Sequence, residues 1–173
     1  PSHEYLGLSA GLDFETTILV KRNAASLFRD WFTRSKYECE AVMLSGITDC
    51  YQPVERKLQI TRQCIEVACE ARQPISIITK NSLITRDIDL LSELADQSLG
   101  RVAISINSLN QSMTKRLEPA CTAPAGRVET IARLSSARIP VHAMIAPIIP
   151  GINDHEIPTV LKAVSEAGAK SAR

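Results

Sequence analysis

Four short stretches place polar or charged groups directly behind apolar runs. Ser45-Gly46-Ile47-Thr48-Asp49 follows Ala41-Val42-Met43-Leu44, and Thr79-Lys80-Asn81 follows Ile75-Ser76-Ile77-Ile78. Ser105-Ile106-Asn107 follows Val102-Ala103-Ile104, and the loop from Pro147 to Asn153 follows the run Val141 to Ile145. Together they offer hydroxyl and amide groups, one ammonium and one carboxylate. Such a set suits a small polar ligand that carries its own carboxylate and amine. Lys80 would pair with the carboxylate, and Ser45 and Asp49 would accept from the amine. Gly46 would let a ligand meet backbone without a Cβ in the way. Ser, Thr and Asn behind strands are also ordinary turn formers, so Lys80 carries the most weight: a lysine directly behind Ile-Ile-Thr can reach over the strand ends.

The elements that must position these groups alternate along the chain. Pro1 to Glu15 reads as a loop, and Ile18 to Lys21 as a short β-prone run. Asn23 is a candidate N-cap for a helix from Ala24 to Thr33. The strand Ala41–Leu44 is followed by a helical pattern from Glu55 to Arg72 that Pro74 stops. Ile75–Ile78 forms the second strand, with Asp87 as cap for a helix over Ile88 to Ser98. Val102–Ile104 is the third strand. Short helical spacing from Asn110 breaks at Glu118-Pro119, and a further helix spans Ala125 to Ala137. Val141–Ile145 is the fourth strand, and Asp154 is the cap for a last helix that stops at Gly168. Near-continuous apolar strands separated by amphipathic helices predict a parallel sheet covered by helices. Right-handed crossovers would put every strand's carboxyl end on one rim. Four such ends are too few to close an eight-stranded barrel, so a partial barrel or an open sheet is expected.

Composition narrows the classes. The net charge of +1 over 173 residues gives no reason for an extended nucleic-acid or membrane surface, while a local basic groove stays open and DNA is neither supported nor excluded. No apolar run reaches membrane-span length, and no secretory leader opens the chain. Five cysteines without regular spacing argue against a disulfide framework and for a reducing compartment. They contain no CxxC, and His3, His142 and His155 match no metal-ligand spacing. The chain starts at Pro1 without methionine and stops soon after Gly168, so it reads as a piece of a longer protein.

Several segments together resemble the radical SAM superfamily, in the branch related to spore photoproduct lyase. They are His3–Leu8, Gly11–Glu15, Ser45–Glu55, Ile78–Asn81, Arg86–Leu91, Glu118-Pro119 and Pro147–Asp154. The run Thr48-Asp49-Cys50-Tyr51-Gln52-Pro53 with Glu55 is the most specific of them. The resemblance implies an α/β fold, a partial (β/α)6 TIM-like barrel truncated at both ends, with residues 1–173 as a single core domain. It implies S-adenosylmethionine and a [4Fe-4S] cluster held by CxxxCxxC after the first strand, with reductive cleavage to a 5′-deoxyadenosyl radical. It places Ser45 and Gly46 at the cofactor's amine and Lys80 at its carboxylate. Ser105 would reach the carboxylate or ribose, and the Ile145–Gly151 stretch, Pro147 included, would line the adenine. Asp49 and Tyr51 would lie near the cofactor or face substrate. No catalytic residue is assigned.

The chain contains no CxxxCxxC, so no metal ligands are expected within it. The motif is expected upstream of Pro1, and the piece by itself is expected to be inactive. Ala120 stands where the family pattern has a basic residue. Implied partners are the small-molecule cofactor, a reducing electron donor and, through resemblance alone, nucleic acid, in a cytoplasmic protein. Two other readings stay open: a barrel enzyme forming a Schiff base on Lys80, and a binding module that kept the barrel without the cluster.

Overall fold

The computed structural model describes residues 4–9, 13 and 16–173. His3, Gly11-Leu12 and Phe14-Glu15 of the resembling segments, and much of the Pro1–Glu15 loop, lie outside the described residues.

Five strands form one parallel sheet in chain order: β1 (Val42–Leu44), β2 (Ile75–Thr79), β3 (Gly100–Ser105), β4 (Val141–Met144) and β5 (Ser171–Ala172). Among the described residues seven α-helices are delimited beside them: α1 (Ala24–Phe32), α2 (Glu55–Leu58), α3 (Ile60–Ala71), α4 (Ile88–Asp96), α5 (Gln111–Leu117), α6 (Pro124–Ser136) and α7 (Ile157–Glu166). Register follows burial. Leu44 pairs with Ile77, Ile77 with Val102 and Val102 with Val141, and the last three are fully buried. On the same face they meet Ile65 and Ala68 of α3, Leu91 and Leu94 of α4, Ile131 and Leu134 of α6, and Val160 and Val164 of α7. Burying a side chain of this size contributes about 1.5–3 kcal/mol, which is why one face of each helix faces the sheet. The sheet's other face carries Met43, Ser76, Ile78, Arg101, Ala103 and His142, none of them fully buried. The curved sheet is a partial barrel that does not close.

The fifth strand is a correction to the four expected. Ser171–Ala172 lies past the Gly168 stop and pairs with His142–Ala143; two residues without apolar alternation give no sequence signal. Gly168 itself is well explained. Its φ is +94°, and a Cβ there would stand 2.9 Å from Ser135 Cβ, so a left-handed helix end packs against α6 only as glycine.

Other expectations shift. The helix read over 55–72 is two helices, because Gln59 takes a left-handed φ of 52° between α2 and α3. Ile18 to Lys21 forms no strand. The side chains of Asn23 and Asp87 make no capping hydrogen bond. Asp154 opens a 3-10 turn rather than capping the last helix and accepts from the Gly151 N–H at 2.9 Å. Among the described residues no helix is long and apolar enough to cross a membrane.

Candidate binding site on the rim of the sheet

Because the strand order equals the chain order, the loops after β1, β2, β3 and β4 stand side by side along one rim. This brings Ser45-Gly46, Lys80, Ser105 and Pro147 into a row. Thr79 pairs with Ile104, so Lys80 and Ser105, one residue further on, are neighbours at the same height.

The first loop is shaped from within. Ser45 has a φ of 76°, while Gly46 is not in the left-handed region. A non-glycine residue rarely sits there, and Ser45 holds the position because its Oγ accepts from the Cys50 N–H at 2.8 Å. A Cβ on Gly46 would meet nothing within 4 Å, so no protein atom requires glycine there. Asp49 turns into the protein. Its Oδ1 accepts from the Tyr51 N–H at 2.9 Å and from Thr79 Oγ1 at 2.8 Å, and its Oδ2 from the Lys80 N–H at 2.8 Å. The carboxylate expected to meet a ligand amine is thus the clasp that fixes the Lys80 backbone to the β1 loop.

Lys80 Nζ lies 2.6 Å from Glu118 Oε1, with the lysine side chain 36% exposed. Glu118 Oε2 is 2.6 Å from Nη2 of Arg127, whose side chain is 1% exposed. Arg127 also donates from Nε to the Thr122 carbonyl at 2.7 Å and from Nη1 to the Ser105 carbonyl at 3.0 Å. One buried guanidinium therefore ties together the end of β3, the residue after α5 and the loop before α6.

On the far side, Asn153 joins the last two loops. Its Nδ2 donates to the carbonyls of Asn107 and Pro147, both at 2.9 Å, and its Oδ1 accepts from the Ile149 N–H at 2.6 Å. The Asn107 side chain is different: Asn107 is buried, yet its Oδ1 has no hydrogen-bond partner. A buried acceptor without a donor costs about 1–3 kcal/mol. Two clefts flank the row, one of about 220 Å³ beside Glu118 and Cys121 and one of about 360 Å³ between Thr17–Lys21 and Ile47–Cys50.

Beneath the β1 and β2 loops lies a buried ionic network. Asp87 accepts from Tyr51 Oη at 3.0 Å, from Arg62 Nη1 at 3.1 Å and from Arg86 Nε and Nη2, both at 2.8 Å. Arg86 also reaches the Glu55 carboxylate at 2.9 Å. Burial and the Asp87 charge push the Tyr51 phenol well above its usual range. Sequence reading took Asp87 as a cap; no local signal distinguishes a cap from a network anchor whose partners come from three elements. Glu118 and Arg127 were missed as a pair for the same reason.

The cysteines offer no metal centre. All five are free. Burial pushes the Cys50 thiol up to about 12 and the Cys64 thiol to about 11, so neither is a thiolate near neutrality. Among the described residues no group of three His, Cys, Asp or Glu side chains could hold a metal ion. Lys80, half-buried and bonded to a carboxylate rather than enclosed in an apolar pocket, gives the Schiff-base reading no support.

One pH dependence follows from these contacts. Burial raises the Glu118 carboxyl, but hydrogen bonds from Lys80 and Arg127 outweigh it and hold the group below its ordinary value. Hydrogen bonds from Arg62 do the same for Asp89. A folded-state value below the unfolded one adds stability that is complete above the unfolded value and lost as pH falls through the folded one. The urea midpoint is therefore expected to hold from pH 7 to about 5.5 and to decline below about pH 4.5. A midpoint flat down to pH 3 would contradict this account.

A sequential parallel sheet with polar loops gathered on its carboxyl rim defines an α/β half-barrel. The chain belongs to the radical SAM superfamily, whose sequence profile matches residues 25–164. It is similar to the uncharacterized protein Rv2578c of Mycobacterium tuberculosis, at 32% identity over 171 residues, 98% of this chain and 50% of that protein. It is also similar to the uncharacterized protein MJ0683 of Methanocaldococcus jannaschii, at 28% identity over 139 residues, 80% of this chain and 50% of the other. The chain thus spans about half the length of these relatives. Among solved structures, spore photoproduct lyase complexed with dinucleoside spore photoproduct matches with a TM-score of 0.67 and 14% identity, covering 88% of this chain and 44% of that one. The shared feature is the fold.

Proposed function

We propose that residues 1–173 form one core domain of a radical SAM enzyme and that the rim binds S-adenosylmethionine. The observation that supports this reading is the half-exposed ammonium of Lys80 at the strand-end rim, one residue past the Thr79–Ile104 pair and so next to Ser105. Lys80 would hold the cofactor's carboxylate, and Ser45 and the open backbone at Gly46 its amine. Ser105 and Asn107 would receive hydroxyl or amine donors of the nucleoside, and Pro147 would cover the base. In this proposal an amino acid joined to a nucleoside would meet the polar groups at one end and the exposed Pro147–Ile148 surface at the other.

The cluster is a different matter. No CxxxCxxC stands in these residues, so in this proposal the cluster ligands and the contact with a reducing electron donor would have to come from other parts of the intact protein. With the cluster in place, the bound cofactor would supply a 5′-deoxyadenosyl radical able to take a hydrogen atom from substrate. The residues of this chain bind and orient; they move no proton in this proposal. A cytoplasmic setting accords with the free cysteines. The bound molecule of the structural neighbour makes a nucleic-acid lesion the first substrate to test.

The intact protein, reconstituted anaerobically and reduced with dithionite, is expected to release 5′-deoxyadenosine, and dinucleoside spore photoproduct serves as the first substrate probe. Calorimetry gives an independent reading, with S-adenosylmethionine expected to bind and adenosine to bind much more weakly. Absence of both binding and cleavage would refute the proposal.

A further inference from the structure

We infer that Glu118, held by Arg127, is a positioning residue that sets where the Lys80 ammonium stands and thereby selects ligands with a carboxylate. This inference rests on the proposed cofactor site and adds to it a residue from outside the strand-end loops.

The geometry begins with the end of α5. The Glu118 N–H closes the last turn on the Thr114 carbonyl at 2.7 Å, and Pro119 prevents the helix from continuing. The glutamate backbone is thereby fixed. Its carboxylate is 10% exposed and lies between two cations, each at 2.6 Å. Arg127 is held in place, because its side chain is 1% exposed and its Nε and Nη1 donate to the carbonyls of Thr122 and Ser105 inside the fold. The anchored end of the chain Arg127–Glu118–Lys80 is therefore the arginine, and the adjustable end is the lysine.

Two consequences follow for a ligand. The three groups carry a net charge of +1, so the site still attracts an anion after Glu118 has paired. An ammonium has three donors; Glu118 engages one and leaves two. A lysine stem is long and flexible, and without Glu118 it would have to be ordered by the ligand itself at an entropic cost. Arg127 also bonds the Ser105 carbonyl, so the same strut spaces the two neighbouring ligand contacts. Glu118 touches neither cofactor nor substrate in this account and acts through Lys80.

The test compares S-adenosylmethionine with its decarboxylated analogue on the intact protein by calorimetry, with thermal midpoints measured on the same samples. Glu118→Gln is expected to weaken S-adenosylmethionine about tenfold, the scale of one charge-assisted hydrogen bond, and the analogue less than about twofold. In a double-mutant cycle, Glu118→Gln should add no further loss once Lys80 is alanine. Equal weakening of both ligands, or additive losses, would reduce Glu118 to a structural role and overturn the inference. Should the glutamine variant fail to fold, Glu118→Asp keeps a charge for Arg127 but draws it one methylene back from Lys80. It is expected to show the same ligand-selective loss at smaller size, and an unchanged affinity would overturn the inference. Failure of the wild-type protein to bind S-adenosylmethionine at all would instead remove the cofactor reading beneath it.

Discussion

Replacing Lys80 with alanine is expected to lower affinity for S-adenosylmethionine roughly ten- to a hundredfold, the range of a hydrogen bond to a charged group at about 1.5–3 kcal/mol. The loss should appear for ligands with a free carboxylate and be nearly absent for the decarboxylated analogue. Stability should hardly change. The Lys80 side chain is 36% exposed, and exposed ion pairs contribute about 0–1 kcal/mol. Glu118 keeps Arg127 as its partner when the lysine is gone. Calorimetry with both ligands and a thermal melt separate these outcomes. A protein that binds both ligands as before would exclude Lys80 from the site. A protein that loses both equally would mean that the rim had been disturbed rather than one contact removed.

Asp87→Ala is expected to have the largest effect on stability, a loss of about 3–5 kcal/mol, as for removing one member of a buried ionic network. Its side chain is 0% exposed and receives bonds from Tyr51, Arg62 and Arg86. Truncation leaves the buried Tyr51 hydroxyl without an acceptor. It leaves Arg86 only Glu55, and Arg62 its more exposed partners Asp89 and Glu66. The size of the effect also decides between two roles. Loss of a helix cap costs about 1 kcal/mol, so a small change would restore the capping reading and contradict the network. Asp89→Ala is the companion measurement: its side chain is 57% exposed, and a loss below about 1 kcal/mol is expected. Urea titrations with an unchanged slope attribute both shifts to stability.

The two substitutions act on different levels of the same construction. Asp49 fastens the β1 loop to the Lys80 backbone, and the Asp87 network supports Tyr51 directly behind that loop. The rim is tied from below by these bonds, and the Lys80 side chain above it meets the Glu118 carboxylate. This also accounts for the left-handed Ser45: the surrounding bonds fix a conformation that the residue would not choose alone.

The α/β class, the parallel sheet and the row of polar strand ends were legible in the sequence, because they rest on local periodicity. Apolar runs alternating with amphipathic segments admit few other arrangements, and consecutive parallel strands put Ser45, Lys80, Ser105 and Pro147 on one edge wherever the chain goes next. What the tertiary structure alone decided were the partners. Asp49 read as a ligand group and Asp87 as a cap because a carboxylate's neighbours in sequence do not reveal its neighbours in space. Arg127 gave no signal inside a helical pattern, and its place became apparent only where α6 passes under Ser105 and Glu118. The fifth strand depended on β4 being there to pair with it. Periodicity is a property of the chain and survives in the sequence. Charge pairing depends on segments distant along the chain and exists only after they have met.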